Sequence, residues 1–259
     1  MNNYTKLSQF RSLMNQEVYQ EDIRRIWGES YLNKIKERKK ESIPNTNPNP
    51  FLGKKIEMAK ESIPILLALN LVKFIGISGS VASGFAKEED DIDIFIVVRN
   101  HSMWIYRALV QLKNIFQKKI RTQRDGRNVK DKLCLNLIVE ERGLSFNQDI
   151  FNFNELMYLI PIYNEKYIKY IYSKNTWLQD EYGVKKELLI TKIKPQKRVN
   201  FFVRIMNTFF YYLQLIYMKL AKHRPDLERI KKNSKKGRIE FFPKRFREVK
   251  IKNYGEKFG

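Results

Sequence analysis

Residues 79–98 read Gly-Ser-Val-Ala-Ser-Gly-Phe-Ala-Lys-Glu-Glu-Asp-Asp-Ile-Asp-Ile-Phe-Ile-Val-Val, a small-residue turn that runs into alternating carboxylates and an apolar strand. Gly79 and Gly84 allow a tight turn and close backbone approach, with amide N–H groups free to point at phosphate oxygens. Ser80 adds a hydroxyl donor and a helix start. Asp91 and Asp93 lie two apart in a strand, so both side chains leave one face while Ile92 and Ile94 turn to the other. Two adjacent carboxylates repel each other, and a divalent cation between them relieves that repulsion; hard oxygen ligands of this kind suit Mg²⁺ held jointly with substrate phosphates.

Gly79-Ser80, a spacer, and Asp91-Ile92-Asp93 within apolar flanks resemble the nucleotidyltransferase superfamily typified by DNA polymerase beta. The likeness is to its minimal members of uncharacterised bacterial and archaeal type and spans about 80 residues from Leu71. It implies an α+β fold: a mixed sheet with flanking helices, followed by a C-terminal helical region. Apolar patterning predicts strands over 71–78, 92–98 and 133–140, with a helix over 102–117 between the last two. The expected organisation is an N-terminal helical and linker segment over 1–50, the catalytic domain over 51–150, and a helical region with a basic tail over 151–259.

The family takes a third carboxylate from its third strand, and this chain departs from that pattern. Strict alternation through Lys-Leu-Cys-Leu-Asn-Leu-Ile-Val-Glu-Glu puts Cys134, Asn136, Ile138 and Glu140 on one face and Leu133, Leu135, Leu137 and Val139 on the other. The acid position then falls on Asn136, whose amide oxygen can ligate or orient but cannot act as a base. Glu140 lies about 13 Å further along, too far to share its metal; Glu140, Glu141 and Asp131 are the acids nearest in sequence.

The resemblance implies transfer of a nucleoside monophosphate from an NTP, with ATP the expected donor, to an acceptor hydroxyl with release of pyrophosphate. It places Asp91 and Asp93 on Mg²⁺ or Mn²⁺ and Gly79, Ser80, Gly84 and Lys87 against the nucleotide phosphates. Asn136 faces the acceptor, which is a protein, a small molecule or an RNA end, or completes the metal shell. The alternative is a non-catalytic nucleotide- or nucleic-acid-binding protein that keeps the fold.

The chain carries 50 Lys+Arg against 28 Asp+Glu, a net charge of +22. A surface so basic attracts polyanions, which makes nucleic acid a candidate partner. Phe241, Phe242, Phe246 and Tyr254 interleave with the basic residues of 231–259, a pattern that suits either stacking on bases or a packed terminal segment. Two histidines and one cysteine exclude an ordinary Cys/His zinc site and any intrachain disulfide. One cysteine and no signal-like start point to the cytoplasm.

The stretch 42–50 contains three prolines and reads as a linker. Residues 201–220 are mostly apolar but interrupted by Arg204, Asn207, Gln214 and Lys219. They are expected to form a largely buried helix on the catalytic sheet rather than a membrane span.

Overall fold

In the computed structural model the described residues are 2–38, 42–122, 128–190, 193, 199–220, 226–240 and 246–258, the side chains of Asn136 and Phe246 excepted. Helices α1 (Asn3–Ser12), α2 (Gln20–Trp27), α3 (Glu29–Arg38), α4 (Phe51–Glu61) and α5 (Ile63–Leu66) lead into strand β1 (Val72–Ile77). Pro64 sits in the first turn of α5, where its missing N–H costs nothing, and so separates α5 from α4. A short turn of helix, α6 (Gly79–Ala82), joins β1 to β2 (Ile92–Val98); α7 (Met103–Gln117) joins β2 to β3 (Leu133–Glu140). The rest comprises α8 (Ile150–Tyr158), β4 (Ile160–Tyr163), α9 (Ile168–Ser173), α10 (Trp177–Asp180), α11 (Phe201–Leu220), α12 (Leu227–Lys235), β5 (Arg238–Glu240) and α13 (Phe246–Phe258).

The five strands form one mixed sheet in the order β4-β1-β2-β3-β5, consistent with the expected α+β class. Only β2 and β3 run parallel, because α7 carries the chain from one to the other; the remaining neighbours are antiparallel. Both edge strands come from the C-terminal half, where the sequence shows helical patterning: β4 is four residues with a proline, and β5 is three. Strands this short carry too little period-2 signal to stand out.

Alternating residues of the central strands feed two cores. Ile75, Ile77, Ile92, Ile94 and Ile96 face one cluster, with α7 residues Trp104, Tyr106 and Val110. Phe74, Phe95 and Val97 face the other, built from the N-terminal helices, α8 and α9. Asp91 and Asp93 leave the sheet on the Phe95 side.

Alternation fails in β3, which corrects the face assignment made from sequence. Asp93 pairs with Cys134, yet Phe95 pairs with Leu137, so β3 spends one extra residue across this step. Such a bulge flips every later side chain to the other face. Leu137 and Val139 therefore join Phe95 and Val97, while Ile138 stands in the cluster that holds Leu133 and Leu135. Cys134 keeps the side facing Asp93.

The segment 42–50 lies against the α6 turn. Asn47 Nδ2 donates to Gly84 O at 2.7 Å, and Asn49 Nδ2 donates to Gly84 O and Ala86 O at 3.1 and 2.9 Å. The fully buried Arg11 of α1 reaches the same turn: Nη2 donates to Ser83 O at 2.8 Å, Nη1 to Asn154 Oδ1 of α8 at 3.3 Å and Nε to Glu17 O at 2.7 Å. Its guanidinium lies 3.9 Å from the Tyr158 ring centroid.

Helix α11 also departs from expectation. It packs along α7, with Asn207 Oδ1 accepting from Trp104 N at 2.8 Å and Gln214 Nε2 donating to Trp104 O at 2.9 Å. Yet within α11 only Gln214 and Met218 are buried, and Phe201, Phe202, Tyr217 and Leu220 are more than 60 % exposed. An apolar composition all round the helix gives no indication of which face stays open. No described helix is long and apolar enough to cross a membrane.

Arg11→Ala removes three donors and a stacked cation at once. It is expected to destabilise the fold by roughly 2–4 kcal/mol in guanidinium unfolding. Arg11→Lys should recover little of the loss, because one ammonium cannot span those acceptors.

Candidate active site

The site is assembled where β1 ends. Ser78 N donates to Asp93 O at 2.9 Å, which locks the ends of β1 and β2 together. Gly79 then turns with φ +66°, and a Cβ added there would sit 2.1 Å from Asp93 Oδ2. Glycine is required at this position both for its backbone angle and for the space the carboxylate occupies.

Asp91, Asp93 and Cys134 each present a ligand atom, all within 4.8 Å of one another. Arg121, four residues beyond the end of α7, closes the outer side with Nη1 2.7 Å from Asp91 Oδ2. The cluster thus pairs the two expected carboxylates with the one thiol of the chain and an arginine.

The remaining sequence candidates divide by role. Ser80 Oγ and Lys87 N both donate to Asp90 Oδ2 at 3.0 Å, so Asp90 braces the 79–90 loop. The Lys87 side chain is exposed. Gly84 has φ +86°, and its missing Cβ leaves room for Asn47, 2.0 Å from where that atom would lie. Asn136 lies at the β3 bulge, and its side chain is outside the described residues.

The acids nearest in sequence are engaged elsewhere. Asp131 Oδ1 accepts from the buried Lys55 Nζ at 2.8 Å, and that ammonium also binds Glu88 O and Asp90 O, tying the carboxylate loop to the turn before β3. Glu140 is fully buried and accepts from Ser102 N, at the start of α7, and from Arg142 Nε. Glu141 accepts from the Tyr167 hydroxyl.

A carboxylate that motif reading misses is Glu155 of α8, whose charge acts on Asp93 although it is not one of the three ligand groups within 4.8 Å of one another. It is hydrogen-bonded by the Gly79 amide and the Asn154 side chain. No local motif marks it, because 76 positions of chain separate it from Gly79; the only signal is a lone charge in an otherwise uncharged helix, Ile-Phe-Asn-Phe-Asn-Glu-Leu-Met-Tyr.

Electrostatics follow from this crowding. Burial, then Asp91 and Glu155, push Asp93 from an ordinary 3.8 up to about 7; Cys134 and Arg121 oppose the rise. Burial also raises Glu155 to about 7, against the Gly79 amide and the charge of Arg11. The Cys134 thiol is pushed up by burial and by both aspartates. A divalent cation fits such a donor set, since it offsets the repulsion that lifts Asp93. Asp91 and Asp93 would hold it, with Cys134 beside them.

Beside this cluster, on the Phe95 face, opens a cavity of about 220 Å³. Ser78, Leu137 and Glu155 form its inner wall, while Arg229, Lys232, Lys236, Arg238 and Arg247 line its C-terminal side. Arg238 Nε donates to Gly143 O at 2.6 Å, and Arg247 pairs with Asp149, the N-cap of α8.

Compared with known proteins, residues 59–216 match the family model described as nucleotidyltransferase domain, over half of the chain. Neither the curated proteins nor the solved structures yielded a match.

Between pH 3.8 and about 7 the folded chain holds protons on Asp93 that the unfolded chain has released. Stability therefore falls as pH rises through that window, and the penalty is complete above it. In chelator, Asp93→Asn should raise the melting temperature at pH 8 by several degrees, on the order of 1–3 kcal/mol, with no gain below the window. Equal melting temperatures at pH 8 would contradict the assignment.

Proposed function

Because the chain belongs to the nucleotidyltransferase domain family, we propose that it transfers a nucleoside monophosphate from an NTP, ATP being the first candidate, to an acceptor hydroxyl. The observation that carries this reading is the pair Asp91 and Asp93 facing the Gly79 turn, with their ligand atoms and Cys134's within 4.8 Å. A divalent cation, Mg²⁺ or Mn²⁺, would be held by the two aspartates and would neutralise charge developing on the phosphates.

The protein's own residues supply the rest. Gly79 and Ser80 border the phosphates from the turn, and the cationic wall of Arg229, Lys232 and Lys236 draws in the anionic substrate. The acceptor oxygen forms a bond to the α-phosphorus, the α–β bridging bond breaks, and pyrophosphate leaves. Glu155, held near 7 between the carboxylates and the cavity, receives the hydroxyl proton. A carboxylate with that affinity is poised for proton transfer at neutral pH. Glu155 in this role replaces the base expected from the third strand.

One observation favours a second reading, a non-catalytic nucleotide binder. Asp93's partner on β3 is Cys134, not an acid, and Asp91 is paired to Arg121. Incubation with Mg²⁺ or Mn²⁺, each α-labelled NTP and host RNA or lysate protein separates the two. The wild type should transfer label, and Asp91→Asn/Asp93→Asn should lose at least about 10³-fold. Glu155→Gln should slow transfer roughly 10²–10⁴-fold and flatten the pH profile near 7. Nucleotide binding without transfer would select the non-catalytic reading.

A further inference from the structure

The outward face of α11 is almost wholly apolar. Phe201, Phe202, Ile205, Phe209, Tyr212, Leu213, Ile216, Tyr217 and Leu220 are each 47–80 % exposed. A fully open aromatic side chain presents roughly 150–250 Å², so the nine together leave on the order of 1,000 Å² of apolar surface. Exposed patches on monomers stay near roughly 300–600 Å². A stable interface takes about 800 Å² from each partner. Leu112, Ile115 and Phe116 of α7, at 56–83 % exposure, add to the apolar surface of this helix pair.

We infer that this face is the interface with a second copy of the chain, in which α11 packs antiparallel to its twin across a two-fold axis. The sequence of the exposed face supports the pairing. Reversal about the midpoint between Phe210 and Tyr211 sets Phe201 against Leu220, Ile205 against Ile216, Thr208 against Leu213 and Phe209 against Tyr212. The Thr208 hydroxyl is spent on Arg204 O at 3.1 Å, so its methyl is what remains for packing.

The charges fit as well. The two exposed cations of α11 fall on rings rather than on each other: Arg204 meets Tyr217, and Lys219 meets Phe202. An isologous interface requires such self-matching. Neither α7 nor α11 contains an acidic residue, so no ion pair across the axis is available and apolar contact must carry the association. Each copy bears +22, so screening by salt should tighten this dimer, whereas contact with a nucleic acid or an anionic lipid surface would weaken.

Light scattering and sedimentation of the purified chain at micromolar concentration test the proposal. The expected mass is twice 31.2 kDa, with a dissociation constant that falls as salt rises. Phe209→Glu should weaken the dimer about 30-fold or more while circular dichroism stays unchanged. Ile205→Glu and Ile216→Lys should each yield monomers, and the double variant should restore the dimer by placing Glu against Lys twice across the axis. A wild type that stays monomeric would overturn the proposal, whether it then floats with anionic vesicles, captures another protein or does neither. A dimer unaffected by Phe209→Glu would overturn it too.

Discussion

The whole site depends on one close approach, the Asp93 carboxylate against the backbone of Gly79. A side chain at residue 79 would collide with Asp93 Oδ2, and Ser78 N already ties the two strands at that level. The turn can therefore cross in front of the carboxylates only because it begins with glycine. With Asp93 fixed there, Asp91 follows two residues back on the same face, and Cys134 is brought opposite by the parallel pairing of β2 and β3. Burial, with the repulsion of Asp91 and Glu155 added to it, raises Asp93 to about 7.

The scaffold around that contact is drawn from distant parts of the chain. Arg11 of α1, Asn47 and Asn49 of the segment before α4, and Glu155 of α8 all engage the loop from 79 to 86. Lys55 of α4 holds the carboxylate loop from beneath through three oxygens. A loop secured on so many sides is a pre-organised surface, and pre-organised dipoles and charges favour catalysis more than mobile ones do. The basic residues of α12 and β5 extend the surface into a cavity that Glu155, Glu240 and Glu248 also line.

What was legible in the sequence is the local part. β2 and β3 run over the residues that apolar patterning marks, and β1 and α7 begin one residue inside the marked ranges, because each carries a sustained apolar pattern over six or more residues. The Gly-Ser and Asp-x-Asp spacing brings its residues together because a tight turn and one strand suffice to do so. What was hidden depends on long-range geometry. The β3 bulge exchanges the faces of Leu137 and Ile138 without a glycine or proline to announce it. Glu155 comes from an adjoining helix whose acid looks like any other. The open face of α11 is invisible because a helix apolar on every side looks buried.

The most direct measurement is titration of Mn²⁺ into the protein at pH 8 with ATP present, read by the loss of the free-ion paramagnetic resonance signal. One Mn²⁺ per chain should bind beyond what ATP alone takes up, and Asp93→Asn should abolish that binding while the circular dichroism of the folded chain stays unchanged. Binding of equal strength in wild type and variant, or none in the wild type, would contradict the assignment of Asp91 and Asp93 as the metal-holding pair.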